Sequence, residues 1–582
     1  MKLHVFIAAT LLFCGGAMAQ RQIKVSNALA DAVLRGQYNP SQFQPTLVIN
    51  DRLSIINGLV NDISADSIQH YLEVLSTFGN RNTGSDTSSS TNGIGAARRW
   101  IAGKMQEFSQ ANENRLIVGY LDFEELICTM NHHRNVMAVL PGLDTSKKEV
   151  LVVEAHMDSR CEGRCDLVCD APGMDDNGSG TVLVMELART MSNYAFDRTI
   201  VFTTVTGEEQ SLKGSAALAT YFKDNNIQVH ACFNNDVVGG IHCGVTSSPP
   251  GCAPPGDVDS TTLRIFSYSK VADTAHYSEH KQLARYVRLQ QEEEINPRIQ
   301  VPMFIDLQLS EDRQGRGGDH IPFRREGFTT LRFTSANEHG DGSGTGPDRQ
   351  HTTTDVLGVD TDVPPDGIID SFFVDMRYLA RNAITNGVNL GLLAQAPSSP
   401  LWTLKKETNK VRIEINGKDT LYKDYRIGVR SLGSGTLYFD TVYSLKGGIN
   451  FELPEEPENT YFISVANVQG GVESLFSEEQ EVVVSGIHNI GTHNVKLHSY
   501  PNPAREQINI TFEFEQPRPD NSLYLRVVDI SGKQVVERAV RQESGRGSAT
   551  LSLAGWQAGV YQCLLQSEST TLGSLQFVVE SH

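Results

Sequence analysis

The stretch Thr199-Ile200-Val201-Phe202-Thr203-Thr204-Val205-Thr206-Gly207-Glu208-Glu209 is an apolar, β-prone run that ends in a glycine and two adjacent carboxylates. Such a short run, rich in Val, Ile, Phe and Thr, predicts a strand buried on both faces. Two neighbouring carboxylates at its end repel each other. Their placement makes chemical sense if one holds a metal and the other handles a proton.

Similar short apolar runs at Val136–Leu140, Val150–Val153 and Thr329–Phe333 predict further buried strands. Helical stretches lie between them at Gly180–Met191 and Gly214–Asp224. Earlier helices are expected from the stripe Ile68, Tyr71, Leu72, Val74, Leu75 and from Ala96, Trp100, Ile101, Met105, and a long final helix from Ile368 to about Leu393. Strands alternating with helices give an α/β class: a three-layer α/β/α domain with a mainly parallel mixed central sheet. Sites in such sheets form outside the carboxyl ends of the strands.

Five motifs are expected at that edge. Val150–Glu154 runs into His156-Met157-Asp158-Ser159, where the Asp158 carboxylate can accept the ring N–H that a metal-bound histidine leaves free. Gly173-Met174-Asp175-Asp176-Asn177-Gly178-Ser179-Gly180 precedes a helix and carries more carboxylates than an N-cap needs. Glu208-Glu209 is the third, Asp236 in Phe233-Asn234-Asn235-Asp236-Val237-Val238-Gly239 the fourth, and His351-Thr352-Thr353-Thr354-Asp355 the fifth. Each alone has a bland structural explanation; five in sequence at one sheet edge do not share one.

The chain has 582 residues, enough for about three or four domains. Its formal charge of −19 argues against a nucleic-acid partner, which would need clustered Lys and Arg. Residues 1–19 read as a signal peptide: Lys2, the apolar run Val5 to Phe13, then Ala17-Met18-Ala19. No other run approaches the ~18 apolar residues of a membrane span. Export makes disulfides the expected state of the cysteines, including the Cys161, Cys165, Cys169 cluster, whose spacing fits neither a zinc nor an iron–sulfur pattern. Cys243 and Cys252 flank a Pro/Gly loop and are expected to bridge locally. Residues 20–66 are weakly periodic and read as an N-terminal elaboration or a pro-segment.

After Gln395 the texture changes. Ala396-Pro397-Ser398-Ser399-Pro400 reads as a linker, and residues 400–486 as an all-β sandwich. Trp402, Tyr425–Arg430 and Tyr461–Val465 give that segment a resemblance to a fibronectin type III module. A second linker leads to residues 495–582, also all-β. There Tyr500-Pro501-Asn502-Pro503-Ala504, Val528–Lys533 and Leu553–Tyr561 resemble the C-terminal sorting domain of the type IX secretion system. That resemblance implies a secreted or cell-surface protein handled by the type IX machinery.

The five motifs, with Arg134-Asn135-Val136, Leu140-Pro141-Gly142 and Asp319-His320-Ile321-Pro322-Phe323, resemble the M28 family of zinc peptidases over residues 67–395. The resemblance implies two Zn2+ ions per chain. Asp176 would bridge them, His156 and Asp236 would complete one site, and Glu209 and His351 the other. Glu208 would be the general base and acid, and Asp158 would orient His156. The implied activity is removal of N-terminal residues from peptides or proteins. Specificity is open, because Arg160–Pro172 is longer than in small relatives and could rim the pocket. The alternatives are a single-zinc, glutaminyl-cyclase-like enzyme, a carboxypeptidase, and a non-catalytic receptor-like or adhesive scaffold.

Overall fold

The structure is a computed structural model. It describes residues 23–580 apart from 244–257, 271–276, 314, 339–348, 408–409, 417–420, 432–436, 447–458, 485–494, 515–522, 530–532, 543–544 and 568–569. The signal-peptide residues 1–19 and Cys252, with its expected bridge to Cys243, lie outside the described residues. The chain divides into two compact units. The first runs to residue 479 apart from 430–434 and 452–463, and the second takes those segments and everything from 480 onward.

In chain order the first unit contains β1 (Lys24–Val25), α1 (Ala28–Leu34), α2 (Arg52–Asp62), α3 (Ala65–Ser76), α4 (Gly93–Ala111), β2 (Ile117–Ile127), β3 (Met130–Leu140) and β4 (Val150–His156). There follow α5 (Gly180–Met191), β5 (Ile200–Val205), α6 (Lys213–Asp224), β6 (Val229–Asn235), β7 (Thr262–Phe266), α7 (Glu279–Gln290), β8 (Phe304–Leu307), α8 (His320–Arg325), β9 (Thr330–Ser335) and, after a long loop, α9 (Met376–Gln395). The strands form one nine-stranded sheet in the order β1-β2-β3-β5-β4-β6-β9-β7-β8. Its centre, β5-β4-β6-β9, is parallel throughout, and antiparallel pairs lie towards the edges.

Alternation along the strands builds two cores. Leu151 and Val153 of β4 and Ile200 and Phe202 of β5 face one side, with α2 to α5 and α9. Val150, Val152 and Val201 face the other, with α1, α6 and α8. This is the expected three-layer α/β/α arrangement. Burying both faces of β4 and β5 is what their unbroken apolar sequence dictates.

Several details differ from the sequence expectation. The segment 23–66 is helical and joins the core: Ile55, Ile56 and Leu59 are fully buried, and β1 pairs with β2. The final helix begins at Met376 rather than Ile368, because the Asp375 carboxylate caps it by accepting from the Tyr378 N–H. Ser371–Phe372, which the long-helix reading included, instead pairs with Gly358–Val359. The stretch read as a linker is packed, with Ala396 fully buried and Ser399 Oγ donating to Leu475 O at 2.6 Å. The β-rich segment that follows is anchored on α7 inside the same unit. Arg285 pairs with Glu479 at 3.1 Å and its Nε donates to Leu437 O, while Gln282 Nε2 donates to Ser477 O. Its strands include the antiparallel pairs Trp402–Glu407 with Lys410–Ile415 and Asp424–Ser431 with Thr441–Leu445.

In the second unit, Val495–Tyr500, Gln507–Phe514 and Arg546–Ser552 form one antiparallel sheet. Gln534–Val540, Leu523–Asp529, Gly559–Ser567 and Thr570–Val579 form another. The two share a core of residues such as Ile508, Phe512, Leu525 and Phe577. No helix among the described residues is long and apolar enough to cross a membrane.

Candidate metal centre

Three adjacent parallel strands deliver the central side chains. β4 ends at His156, whose register partner on β5 is Val205, so the turn after β5 rises beside it. On the other side Glu154 is level with Asn234, which places Asp236, just past β6, next to His156. Gly207 takes φ +77°, a left-handed value that only glycine adopts readily, and the chain turns there to present Glu208 and Glu209. Asp176 comes from the kinked turn before α5, where its φ/ψ of −107°/92° leaves the helical region. Asp355 fixes that kink: its Oδ1 accepts from the Asp175 N–H at 2.8 Å and its Oδ2 from the Asp176 N–H at 3.0 Å.

These residues converge. His156 Nε2 lies 3.2 Å from Asp176 Oδ1 and 3.5 Å from Asp236 Oδ1. His351 Nε2 lies 3.1 Å from Asp176 Oδ2 and 3.2 Å from Glu209 Oε2. Two ligand-like groups result, His156–Asp176–Asp236 and Asp176–Glu209–His351, sharing Asp176. Glu208 lines the same cleft, half-buried, with a volume of about 240 Å³ around it. Asp175 turns away, and its Oδ1 accepts from the Gly239 N–H.

Asp158 differs from expectation. Its carboxylate is 3.7 Å from His156 Nδ1, outside hydrogen-bond range, and the ring nitrogen instead meets the Asp158 backbone carbonyl at 3.0 Å. The carboxylate is occupied elsewhere, accepting from Thr83 Oγ1 at 3.0 Å and the Glu209 N–H at 3.4 Å. Asp158 thus meets His156 through its main chain and the Glu208-Glu209 turn through its side chain.

The electrostatics follow from burial and mutual facing. Burial pulls the His156 imidazole down, but Asp176 and Asp236 override it and the net shift is well upward. His351 reaches about 10 against its own burial, because Glu209 and Asp176 face it. Burial pushes Asp176 up, and the two histidines reverse that to well below the usual carboxylate range. Glu208 moves the other way: burial raises it well above the ordinary value, reinforced by Glu209 and Asp236 and opposed by His156. A buried set of three carboxylates and two imidazoles with lone pairs this close requires positive charge among them. Glu209 Oε1, buried with no hydrogen-bond partner, adds a free donor atom. Both observations fit a pair of divalent cations bound by nitrogen and oxygen.

Two contributors have no role in the sequence reading. Arg332, fully buried in β9, lies 2.9 Å from Asp236 Oδ2; an arginine inside the apolar run Thr329–Phe333 was the available signal. Asp355 was quoted within its motif but given no role. Arg160 and Arg164 line the cleft from the strap before Asp176, the stretch expected to rim the pocket.

Residues 135–361 match Peptidase family M28, a span that contains every site residue named above, and residues 498–580 match the Secretion system C-terminal sorting domain. A Leptosphaeria maculans protein named "Probable zinc metalloprotease" is 32% identical over 362 residues, covering 59% of this chain and 78% of that one. The chain belongs to peptidase family M28. A Pyricularia oryzae protein of the same name is 32% identical over 437 residues, covering 70% of this M28 chain and 80% of its own. Among solved structures, the LapA aminopeptidase of Legionella pneumophila gives 17% identity and a TM-score of 0.42, covering 60% of this chain and 78% of that one.

Proposed function

We propose that this M28 peptidase is an exported two-zinc aminopeptidase that removes N-terminal residues from peptides, with Glu208 carrying the proton. The observation that carries the reading is the placement of Asp176, whose two oxygens each face a different histidine. His156, Asp176 and Asp236 would hold one zinc, and Asp176, Glu209 and His351 the other. When bound, the metals supply a Lewis acid for the scissile carbonyl and a water of lowered pKa. Glu208, half-buried on the cleft wall, would take a proton from the attacking water and return it to the leaving nitrogen. Asp158 and Asp355 keep the surrounding backbone in register.

The sorting domain supports export to the cell surface or beyond by the type IX machinery, with residues 1–19 as signal peptide. Residues 400–486 are a fibronectin-like accessory module. The test is a panel of aminoacyl-nitroanilides with free and blocked α-amines, with and without a chelator. Cleavage of free substrates only, lost with chelator and restored by zinc, is expected. Equal cleavage of blocked substrates would sink the aminopeptidase reading, and chelator-insensitive cleavage the zinc.

A further inference from the structure

α4 packs on the face of the sheet where β2 presents Val118 and Tyr120. Along that face three strands carry one row of charge. Lys24 of β1 is level with Asp122 of β2, and Asp122 with Arg134 of β3; two residues further along β2, Glu124 is level with His132. The second turn of α4 adds Arg98 and Arg99, and together these groups line a cavity of about 680 Å³. None of its lining residues lines the metal cleft.

Part of this charge is spoken for. Arg134 Nε pairs with Asp122 Oδ1 at 2.6 Å, and His132 Nδ1 lies 3.4 Å from Glu124 Oε1. Arg99 donates to Thr87 O at 2.7 Å and to Ser89 O, which fixes the guanidinium without cancelling its charge. Arg98 is different. It is half-buried, yet it makes no hydrogen bond or ion pair with any described residue. The exposed Lys24 has none either. The lining therefore holds four Lys and Arg side chains against two carboxylates, in a chain whose net charge is −19. Burial first, then Arg134, bring the Arg98 guanidinium down to about 10. A cation placed in this way adds no stability of its own, and an anion beside it would oppose both effects. Guanidinium groups take carboxylates and phosphates through paired, charge-assisted hydrogen bonds. The volume falls within the roughly 300–1,000 Å³ of small-molecule sites.

We infer that this cavity is an anion site that holds a carboxylate or phosphate group in the fork of Arg98, with Lys24 and Arg99 beside it. The oxyanion has two sources to be told apart, free phosphate and the acidic side chains of a peptide. The inference stands independently of the aminopeptidase reading, because the cavity and the cleft share no residue.

The experiment is calorimetric titration of the full, zinc-loaded chain, with inorganic phosphate in one arm and acetylated triglutamate in the other. The acetyl group blocks the α-amine, so the peptide is not an aminopeptidase substrate. Either probe can also reach the zinc ions, so the binding assigned to the cavity is what Arg98→Met removes; that variant keeps the apolar stem and loses the charge. At least one probe should bind the native chain about tenfold or more tightly than Arg98→Met, with affinity falling as salt rises. Arg98→Lys should retain part of the binding, and Lys24→Gln should weaken it by a smaller factor. Without a probe, Arg98→Met should melt no lower than the native protein and keep its zinc and its anilide cleavage. The arm that shows the difference names the source. Equal affinity of native chain and Arg98→Met for both probes overturns the inference, as does binding of neither. A marked fall in the melting temperature of Arg98→Met also overturns it, because Arg98 would then serve the fold.

Discussion

The guanidinium of Arg332 lies 2.9 Å from Asp236 Oδ2, reaching it from β9, the parallel neighbour of β6. It also donates from Nη1 to both oxygens of Asp312, at 2.8 and 3.0 Å. Burial raises the Asp236 carboxyl, and Arg332 with His156 turns that into a net lowering, so Asp236 stays an anion ready for a cation. Arg332→Leu is expected to cost roughly 3–5 kcal/mol of stability, because it leaves buried carboxylates without their partner. Urea denaturation measures this, and zinc competition against a fluorescent chelator should show weaker metal binding. Unchanged values in both would mean that Asp236 is positioned without Arg332.

Asp176 is the joint of the site, one oxygen towards His156 and one towards His351. Metal analysis is expected to find two zinc ions per chain in the native protein and a deficit in Asp176→Asn. Because ligands that bind only the folded state stabilise it, chelation should lower the melting temperature as well as remove activity, and added zinc should restore both. A melting temperature indifferent to chelator would count against metal at this cluster.

Glu208 lines the cleft without facing either histidine as a ligand atom. Glu208→Gln is expected to lower kcat by about 10²–10⁴, the range typical of a lost general base. Zinc content should stay at the native level. If zinc is lost in parallel with kcat, Glu208 is a ligand rather than a proton carrier.

What the sequence disclosed was set by how each residue does its work. β4 and β5 were legible because both faces are buried, so their sequence is uniformly apolar up to the chemistry at their ends. β3 was read only from Val136, because its first half, Met130-Asn131-His132-His133-Arg134, is largely exposed and carries polar residues that mask the strand. The groups that converge on the cleft were legible as His, Asp and Glu at strand ends, in the turn before α5 and in the loop at His351. Asp355 was not, since its partners, the amides of Asp175 and Asp176, lie about 180 residues away in sequence. For Asp158 the two-residue spacing brings the main-chain carbonyl, not the carboxylate, to the ring.

Behind Arg332 the network continues to Glu338, which is buried between Arg264 at 2.6 Å and Arg313 at 2.7 Å. Burial alone would raise the Glu338 carboxyl; Arg313 and Arg264 override it and bring it from 4.5 to about 2. Burial costs Arg264 more than Glu338 returns, whereas Arg313 is raised on balance, so Arg313 is the principal partner. A folded-state value below the unfolded one stabilises the fold above the unfolded pKa. That stability is lost as pH falls through the interval from about 4.5 to about 2. At neutral pH the contribution is roughly 3 kcal/mol. Glu338→Gln is therefore expected to unfold at lower denaturant than the native protein at pH 7, with the gap shrinking to less than half by about pH 3. Denaturation curves at a series of pH values measure it. A gap of constant size would show that Glu338 acts through its shape and hydrogen bonds rather than its charge.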